Sequence, residues 1–308
     1  MRFRSLLCSA LALCCTPALW AADAQQVWAP GVSDETGWYD YNKQKLEGDF
    51  LGDTGLCWAY SASNVLAWWQ HHNADKLTAN NIVVPQNEQI VKTFVGVFKN
   101  TGGYTHAAYD WWINGGEDCE LNKDVDKKDK EVLDLKDTSK VAMELGLTGF
   151  DIKDLAEGGL LKGIYDTPTN DFRLSGGVYY DAHAYAKLII DALADGYALS
   201  LSAALGSASH SYTLWGVQYE ETNGELMITK AWITNSDDEV YGLIEKNVKF
   251  GEGNNKPAGL YFDEGDNVIG ATWGAIAGIR TTSVIPEPGT ATLTLMALAG
   301  LALRRRRS

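Results

Sequence analysis

The chain has 308 residues, of which 45% are hydrophobic, so it can bury the core of one large domain or two small ones, and wholesale disorder is excluded. Its 26 basic residues are outnumbered by 40 acidic ones, which gives a formal net charge of -14 at pH 7. A surface this acidic repels phosphates, which argues against nucleic-acid binding and against docking on anionic lipid through a basic patch.

Residues 1–24 have the pattern of a secretory signal peptide. Two arginines precede an apolar stretch from Leu6 to Trp20, and small residues follow as far as Ala24. Cleavage there leaves only Cys57 and Cys119 of the chain's cysteines in an oxidising compartment. Two cysteines do not make a disulfide framework, although a single bridge between them stays open as an alternative.

The first two-thirds of the chain are predicted to be mainly helical. Apolar residues cover every side of the segment 56–72, which predicts a buried helix. Further helices are predicted at 87–98, 106–114 and 181–195, and glycines follow the last two as stop signals. The paired tryptophans Trp68-Trp69 and Trp111-Trp112 are predicted to be core residues in preference to a carbohydrate platform.

The last third is rich in aromatic and β-branched residues, which predicts strands. The predicted strands are 197–203, 211–219, 226–234, 240–248 and 259–263. Asn223-Gly224 supplies a hairpin turn between the second and third of them. Helices followed by antiparallel strands, with no repeat or linker, predict one α+β domain over residues 25–282.

Residues 283–308 have the pattern of a sorting signal. Pro286-Glu287-Pro288 precedes a short apolar stretch and four terminal arginines, an arrangement that resembles the PEP-CTERM signal of Gram-negative bacteria. The apolar stretch is shorter than the roughly 20 residues of a stable membrane span. A plain tail anchor is the alternative. The resemblance implies a sorting protease as partner, and together with the signal peptide it predicts an exported protein at the cell surface or outside the cell.

Cys57 is the candidate nucleophile. It opens the first predicted helix, where the helix dipole favours a thiolate and lowers the pKa of the thiol. Position alone is compatible with an inert buried cysteine, so a partner is needed. A thiolate nucleophile needs an imidazole, and the imidazole needs a third group that fixes its orientation.

His210 and Asn235 are the candidates for those two roles. His210 opens a predicted core strand, whereas His71, His72, His106 and His183 lie in or beside predicted helices. Asn235 follows the next strand, so a pair of antiparallel strands can bring it beside His210. His210 lies 153 residues after Cys57 and Asn235 lies 178 residues after it, a close but imperfect match to the roughly 130 to 150 residues of papain-like enzymes.

The motifs of this chain resemble those of a known enzyme class. Cys57-Trp58-Ala59-Tyr60-Ser61 is similar to the nucleophile segment of papain-like proteases. A nearer resemblance is to the bacterial immunoglobulin-G-degrading cysteine proteases of the Mac family, themselves papain-like in fold. It rests on motifs at both ends of the domain: Gly37-Trp38-Tyr39-Asp40 with Lys43, Asn64 to Trp69, Ile113-Asn114-Gly115, and the segments around His210 and Asn235. Residues 117–177 have no match.

The resemblance implies a papain-like fold and a role for each candidate residue. Cys57 would be the nucleophile, His210 the general base and acid, and Lys43 a donor of the oxyanion hole. The family pattern has a carboxylate where this chain has Asn235, so the amide is a departure, and a second acid stands at Asp237. A neutral amide orients an imidazole without stabilising its charged form.

The sequence therefore predicts an exported cysteine endopeptidase that needs no cofactor. A thiol acyl transferase or isopeptidase would use the same residues, and a surface binding module that has lost catalysis is the alternative outside the enzymes. A protein is the expected substrate, with host immunoglobulin as one candidate. A metal site is not expected: His71 and His72 point apart on a helix, and the acidic stretch from Asp124 to Asp129 lacks the glycine and glutamate of a calcium loop.

Overall fold

The computed structural model describes residues 24–43, 55–98, 102–115, 146–147, 149–150, 152–165, 172–175, 181–205, 208–237, 241–251, 259–263 and 269–281. The predicted signal peptide before residue 24, the predicted sorting segment after residue 281, Cys119 and the acidic stretch from Asp124 to Asp129 lie outside these residues. No helix among the described residues is long and apolar enough to cross a membrane.

Most of the described helices precede most of the described strands along the chain. The helices are α1 (Cys57–His72), α2 (Ala74–Ala79), α3 (Glu88–Phe98), α4 (Thr105–Ile113), α5 (Ile152–Leu155) and α6 (Ala182–Ala194). The strands are β1 (Gln25–Trp28), β2 (Arg173–Ser175), β3 (Tyr197–Leu205), β4 (Ala208–Thr222), β5 (Glu225–Thr234), β6 (Ile244–Gly251), β7 (Gly259–Asp263) and β8 (Ile269–Arg280). The four helices predicted from the sequence are confirmed as α1, α3, α4 and α6, with ends shifted by one residue or less.

Six of the strands close into an antiparallel barrel. The order is β4, β3, β8, β7, β6, β5, and β5 pairs again with β4 to complete the circle. Strand β4 is long enough to pair with β3 through its first half and with β1 through its second half. The short strand β2 adds to β8 outside the circle.

The predicted papain-like α+β fold, with a helical N-terminal part and a C-terminal sheet, is wrong. Six of the described strands form a closed antiparallel barrel in place of the predicted open sheet. The physical reason is β8, which pairs with both β3 and β7 and without which the sheet would stay open. Five glycine or alanine residues weaken the strand signal within its first nine positions, so the pattern of aromatic and β-branched residues did not predict it.

Helix α1 is the buried centre of the helical part. Every residue from Trp58 to Gln70 is buried, so the helix has no solvent-facing side over most of its length. On one side it lies against β3, β4 and β8, and on the other side against α3 and α4. The tryptophans Trp68, Trp69, Trp111 and Trp112 are all fully buried, which confirms that they are core residues.

Strands β4 and β5 are joined by the predicted two-residue turn. Asn223 and Gly224 have φ angles of 56° and 84°, and Thr222 pairs with Glu225 across the turn. Two residues with positive φ make the kind of turn whose twist suits a β-hairpin. The turn sets the pairing at this end of the hairpin, and two register shifts, at Leu214/Gly216 and Gln218/Tyr219, separate it from the end where His210 and Asn235 lie.

Gly224→Val should lower the stability of the fold without any steric clash. A Cβ atom at Gly224 would meet nothing within 4 Å, so the whole cost comes from holding a β-branched residue at φ 84°. We expect a loss of about 1–2 kcal/mol and a fall in Tm of about 2–8 °C, measured by thermal unfolding.

Gly102→Val is the matched control. A Cβ atom there also meets nothing within 4 Å, but the φ of Gly102 lies outside the left-handed region. Equal Tm values for the two variants would contradict the proposed backbone strain at the turn.

Candidate active site

The thiol of Cys57 lies at the amino end of α1. Cys57 is the first residue of the helix, preceded by the fully buried Leu56 as the N-cap. The first turn of a helix carries N–H groups without intrahelical acceptors and the positive end of the helix dipole, both of which favour a thiolate. Cys57 is a free cysteine, so the alternative in which it is bridged to Cys119 is not what the structure has.

His210 reaches Cys57 from strand β4. Its side chain is only 6% exposed, and the imidazole is near enough to the thiol of Cys57 to lower the pKa of that thiol. The ring of Tyr212, two residues along the same face of the strand, packs edge-on against the imidazole with ring centroids 4.7 Å apart. Tyr212 packs in turn on Phe262 of β7. The barrel wall therefore fixes the imidazole plane.

Both ring nitrogens of His210 face oxygen acceptors. Nε2 lies 2.7 Å from Oδ1 of Asn235, and Nδ1 lies 3.1 Å from Oδ2 of Asp237. The Asn235 oxygen also accepts the backbone N–H of Asp237 at 3.1 Å, which identifies it as the amide oxygen. A neutral imidazole can donate from only one nitrogen, so this arrangement favours the imidazolium form, which donates from both.

Lys43 extends the site into a line of alternating charges. Its ammonium contacts Oδ1 of Asp237, and its backbone N–H donates to the carbonyl of Ser236 at 2.9 Å. The side chain of Lys43 is 13% exposed and that of Asp237 is 45% exposed, so solvent reaches this ion pair mainly from the carboxylate side. When Cys57 is a thiolate and His210 is charged, the four groups in order are the Lys43 ammonium, the Asp237 carboxylate, the His210 imidazolium and the Cys57 thiolate. Their charges alternate in sign and sum to zero.

These contacts change the pKa of the thiol. Burial raises the pKa of Cys57, but the hydrogen bond and the charge of His210 lower it. The backbone N–H of Ser211 and the charge of Lys43 act in the same direction, and the net pKa lies below that of an ordinary thiol.

The pKa of the imidazole moves the opposite way. Burial lowers the pKa of His210, whereas the hydrogen bonds with Cys57 and Asn235 raise it. The charge of Asp237 raises it further, and the net pKa lies above the ordinary histidine value. The lowered pKa of the thiol and the raised pKa of the imidazole both favour the thiolate–imidazolium pair.

A buried polar cluster holds α1 against the barrel next to the thiol. Ser61, one helical turn after Cys57, donates to the backbone carbonyl of Tyr212 at 2.8 Å and lies 2.7 Å from the hydroxyl of Ser200. The hydroxyl of Tyr109 lies 2.6 Å from the same Ser200 oxygen. Buried hydroxyls need such partners, so the cluster specifies how α1 sits on β3 and β4.

All five residues predicted for the site, Cys57, His210, Asn235, Asp237 and Lys43, lie together in the structure. The sequence predicts Asn235 as the orienting group and Asp237 as a second acid, and the structure places one at each ring nitrogen. The backbone N–H of Ser211 and the ring of Tyr212 were not predicted. The alternation of the strand could have indicated Tyr212, because residues two apart share a face.

The other histidine pair lies elsewhere. Nδ1 of His72 lies 2.8 Å from the carbonyl of Trp68, and the His71 and His72 rings are edge-on with centroids 5.6 Å apart. Among the residues that the structure describes, no group of three histidine, cysteine or acidic side chains is arranged to hold a metal ion.

Comparison with known protein families matches a segment in the first third of the chain. The family model described as Mac 1 matches residues 23–93, a segment that contains Lys43 and Cys57 and ends before the histidine and asparagine of the site. The match supports the resemblance to the Mac family and suggests a peptidase-like protein. No curated protein matches the chain.

His210→Ala should raise the pKa of Cys57. The variant loses the hydrogen bond and the charge that oppose burial, so burial then dominates. The rate of Cys57 alkylation by iodoacetamide, measured against pH, should keep its shape while its midpoint moves up by about one unit or more.

His183→Ala serves as the control, because His183 lies on α6 and pairs with Glu225 away from the thiol. Its midpoint should equal that of the unsubstituted protein. If His210→Ala also left the midpoint in place, the thiolate–imidazolium pair would have to be abandoned.

Proposed function

We propose that the protein is a cysteine endopeptidase in which Cys57 attacks the peptide bond and His210 moves the protons. The observation that carries the proposal is the placement of a helix-terminal thiol beside an imidazole whose Nε2 is held by Asn235 and whose Nδ1 faces Asp237. This is the geometry that nucleophilic catalysis by a thiolate requires. The match of residues 23–93 to the Mac 1 family model supports the same class of activity.

The reaction begins with the thiolate of Cys57. The sulfur attacks the carbonyl carbon of the substrate, a carbon–sulfur bond forms, and the carbonyl electron pair becomes an oxyanion. When the oxyanion collapses, the carbon–nitrogen bond breaks and the imidazolium of His210 gives its proton to the leaving amine. The product of this half-reaction is a thioester between Cys57 and the acyl part of the substrate.

Water completes the cycle. Neutral His210 takes a proton from water, the resulting hydroxide attacks the thioester, and the carbon–sulfur bond breaks to release the acid and the thiolate. Asn235 keeps the ring in its plane during both half-reactions, because its oxygen accepts from Nε2 whether the ring is neutral or charged. Asp237 stabilises the charged ring at Nδ1.

Lys43 and the backbone N–H of Cys57 are the proposed oxyanion donors. Lys43 is near enough to Cys57 for its charge to lower the thiol's pKa. A positive group beside the thiol also stabilises the negative oxygen that forms on the attacked carbon. The contact with Asp237 fixes where the ammonium lies.

We further propose that the protein works outside the cytoplasm. Residues 1–24 would direct export, residues 25–282 would form the catalytic domain, and residues 283–308 would be processed by a sorting protease. The substrate would then be a protein at the cell surface or in the extracellular space. Immunoglobulin G, which the family resemblance implies, is one candidate.

Cys57→Ala should abolish cleavage of protein substrates while the protein stays folded. The purified protein is incubated with unfolded casein and, separately, with immunoglobulin G, and new termini are identified by mass spectrometry. Cleavage by the unsubstituted protein alone is the expected result. Equal cleavage by both proteins would assign the activity to a contaminant, and transfer of the acyl group to an added amine without hydrolysis would favour an acyl transferase.

Lys43→Met should reduce peptide turnover by about a hundredfold, the usual loss for an oxyanion donor. Reaction of Cys57 with iodoacetamide should slow only a few-fold, since His210 still holds the thiolate. Both rates are measured on the same preparation.

Lys187→Met is the matched control, because Lys187 also pairs with an aspartate but lies on the exposed face of α6. It should change neither rate. Full turnover by Lys43→Met would show that the oxyanion is held by other donors.

A further inference from the structure

The side chain of Asn64 lies at the meeting point of the three segments that carry the site. Asn64 is on α1, two helical turns after Cys57, and is only 2% exposed. Residues seven apart on a helix share a face, so Asn64, Ser61 and Cys57 form one stripe directed at the barrel. The mechanism above does not use Asn64.

The three hydrogen bonds of this amide go to three different segments. Oδ1 accepts the backbone N–H of Tyr41 at 3.0 Å, and Tyr41 precedes Lys43 by two residues. Nδ2 donates to the hydroxyl of Thr213 at 3.0 Å and to that of Thr234 at 3.3 Å. Thr213 follows His210 on β4, and Thr234 directly precedes Asn235.

The two threonines are a directly opposed pair across β4 and β5. The two N–H bonds of one planar amide therefore bridge two neighbouring strands, while its oxygen holds a third segment. A planar group with three partners fixes their relative positions more strictly than three separate bonds would.

The neighbouring hydrogen bonds leave the amide only this orientation. Thr234 donates its hydroxyl proton to the carbonyl of Tyr39 at 3.0 Å and accepts from the indole N–H of Trp215 at 3.0 Å. Its oxygen is thus an acceptor for Asn64, and the Tyr41 N–H requires an acceptor on the other side. Each buried hydrogen bond of this kind contributes about 1 kcal/mol, and an orphaned partner costs about 1–3 kcal/mol.

We propose that Asn64 is a positioning residue that sets the placement of Lys43, His210 and Asn235 relative to the thiol of Cys57. The proposal rests on the proposed thiolate chemistry, but it concerns how the site is assembled. A displacement of about 1 Å at a reacting group can cost a hundredfold in rate, so three simultaneous contacts at the base of the site matter to its function.

The test is Asn64→Leu, which keeps the approximate shape and removes every polar contact without adding charge. We expect kcat to fall about tenfold to a hundredfold at nearly unchanged KM, since the substrate is not touched. The pH midpoint of Cys57 alkylation should also move up, because His210 and Lys43 are no longer held beside the sulfur. Circular dichroism defines a temperature at which the variant is fully folded.

Gln70→Met is the matched control. Gln70 is a buried amide on the same helix, 1% exposed, and its partners Pro85, Gln86 and Trp112 lie away from the site. It should lower Tm while leaving kcat and the alkylation midpoint unchanged. If folded Asn64→Leu behaves like Gln70→Met, Asn64 is structural only and the inference is overturned.

Two milder variants decide the question if Asn64→Leu does not fold. Thr213→Val and Thr234→Val each remove one of the two acceptors of the amide. At least one of them should move the alkylation midpoint, and unchanged midpoints in both would overturn the inference. The alkylation assay needs no peptide substrate, so a protein without peptidase activity would contradict the proposed function while leaving this test intact.

Discussion

The site depends on the burial of helix α1 with polar side chains on the face that meets the barrel. A buried hydroxyl or amide costs free energy unless it is hydrogen-bonded, so Ser61 and Asn64 allow α1 only the position in which their partners on β3, β4 and β5 are met. Apolar packing alone would tolerate a small slide or rotation of the helix, whereas these contacts do not. The thiol of Cys57, on the same face, is brought to His210 as a consequence.

The charged side chains of the site are arranged so that each one lies next to a group of opposite sign. The chain is strongly acidic, yet the partly buried line of Lys43, Asp237, His210 and Cys57 alternates in sign when the thiolate forms. The two acceptors of the imidazole have different consequences. A neutral amide at Nε2 orients the ring in both of its protonation states, while the carboxylate at Nδ1 favours the charged state. Orientation and charge stabilisation, combined in one aspartate in many triads, are divided here between Asn235 and Asp237.

Much of the site was predictable from the sequence because its signals are local. A helix start identified Cys57 and a strand start identified His210, and the position of Asn235 after the next antiparallel strand predicted that it lies beside His210. The barrel was not predictable, because its closure depends on pairing β8 with β3, and β8 is too rich in glycine and alanine to resemble a strand. The contact of Asp237 with Nδ1 depends on a bend after β5, and the role of Asn64 depends on three distant segments, neither of which leaves a local pattern.

The most direct test of the account is the protonation state of His210, measured by the ¹⁵N chemical shifts of its ring nitrogens as a function of pH. The thiolate–imidazolium pair predicts that the ring loses its second proton above pH ~6.5, the ordinary pKa of histidine, and that Cys57→Ala lowers this pKa because the partner charge is lost. A ring that is neutral near pH 7, with no change in Cys57→Ala, would contradict the central claim that the fold assembles a charged nucleophile.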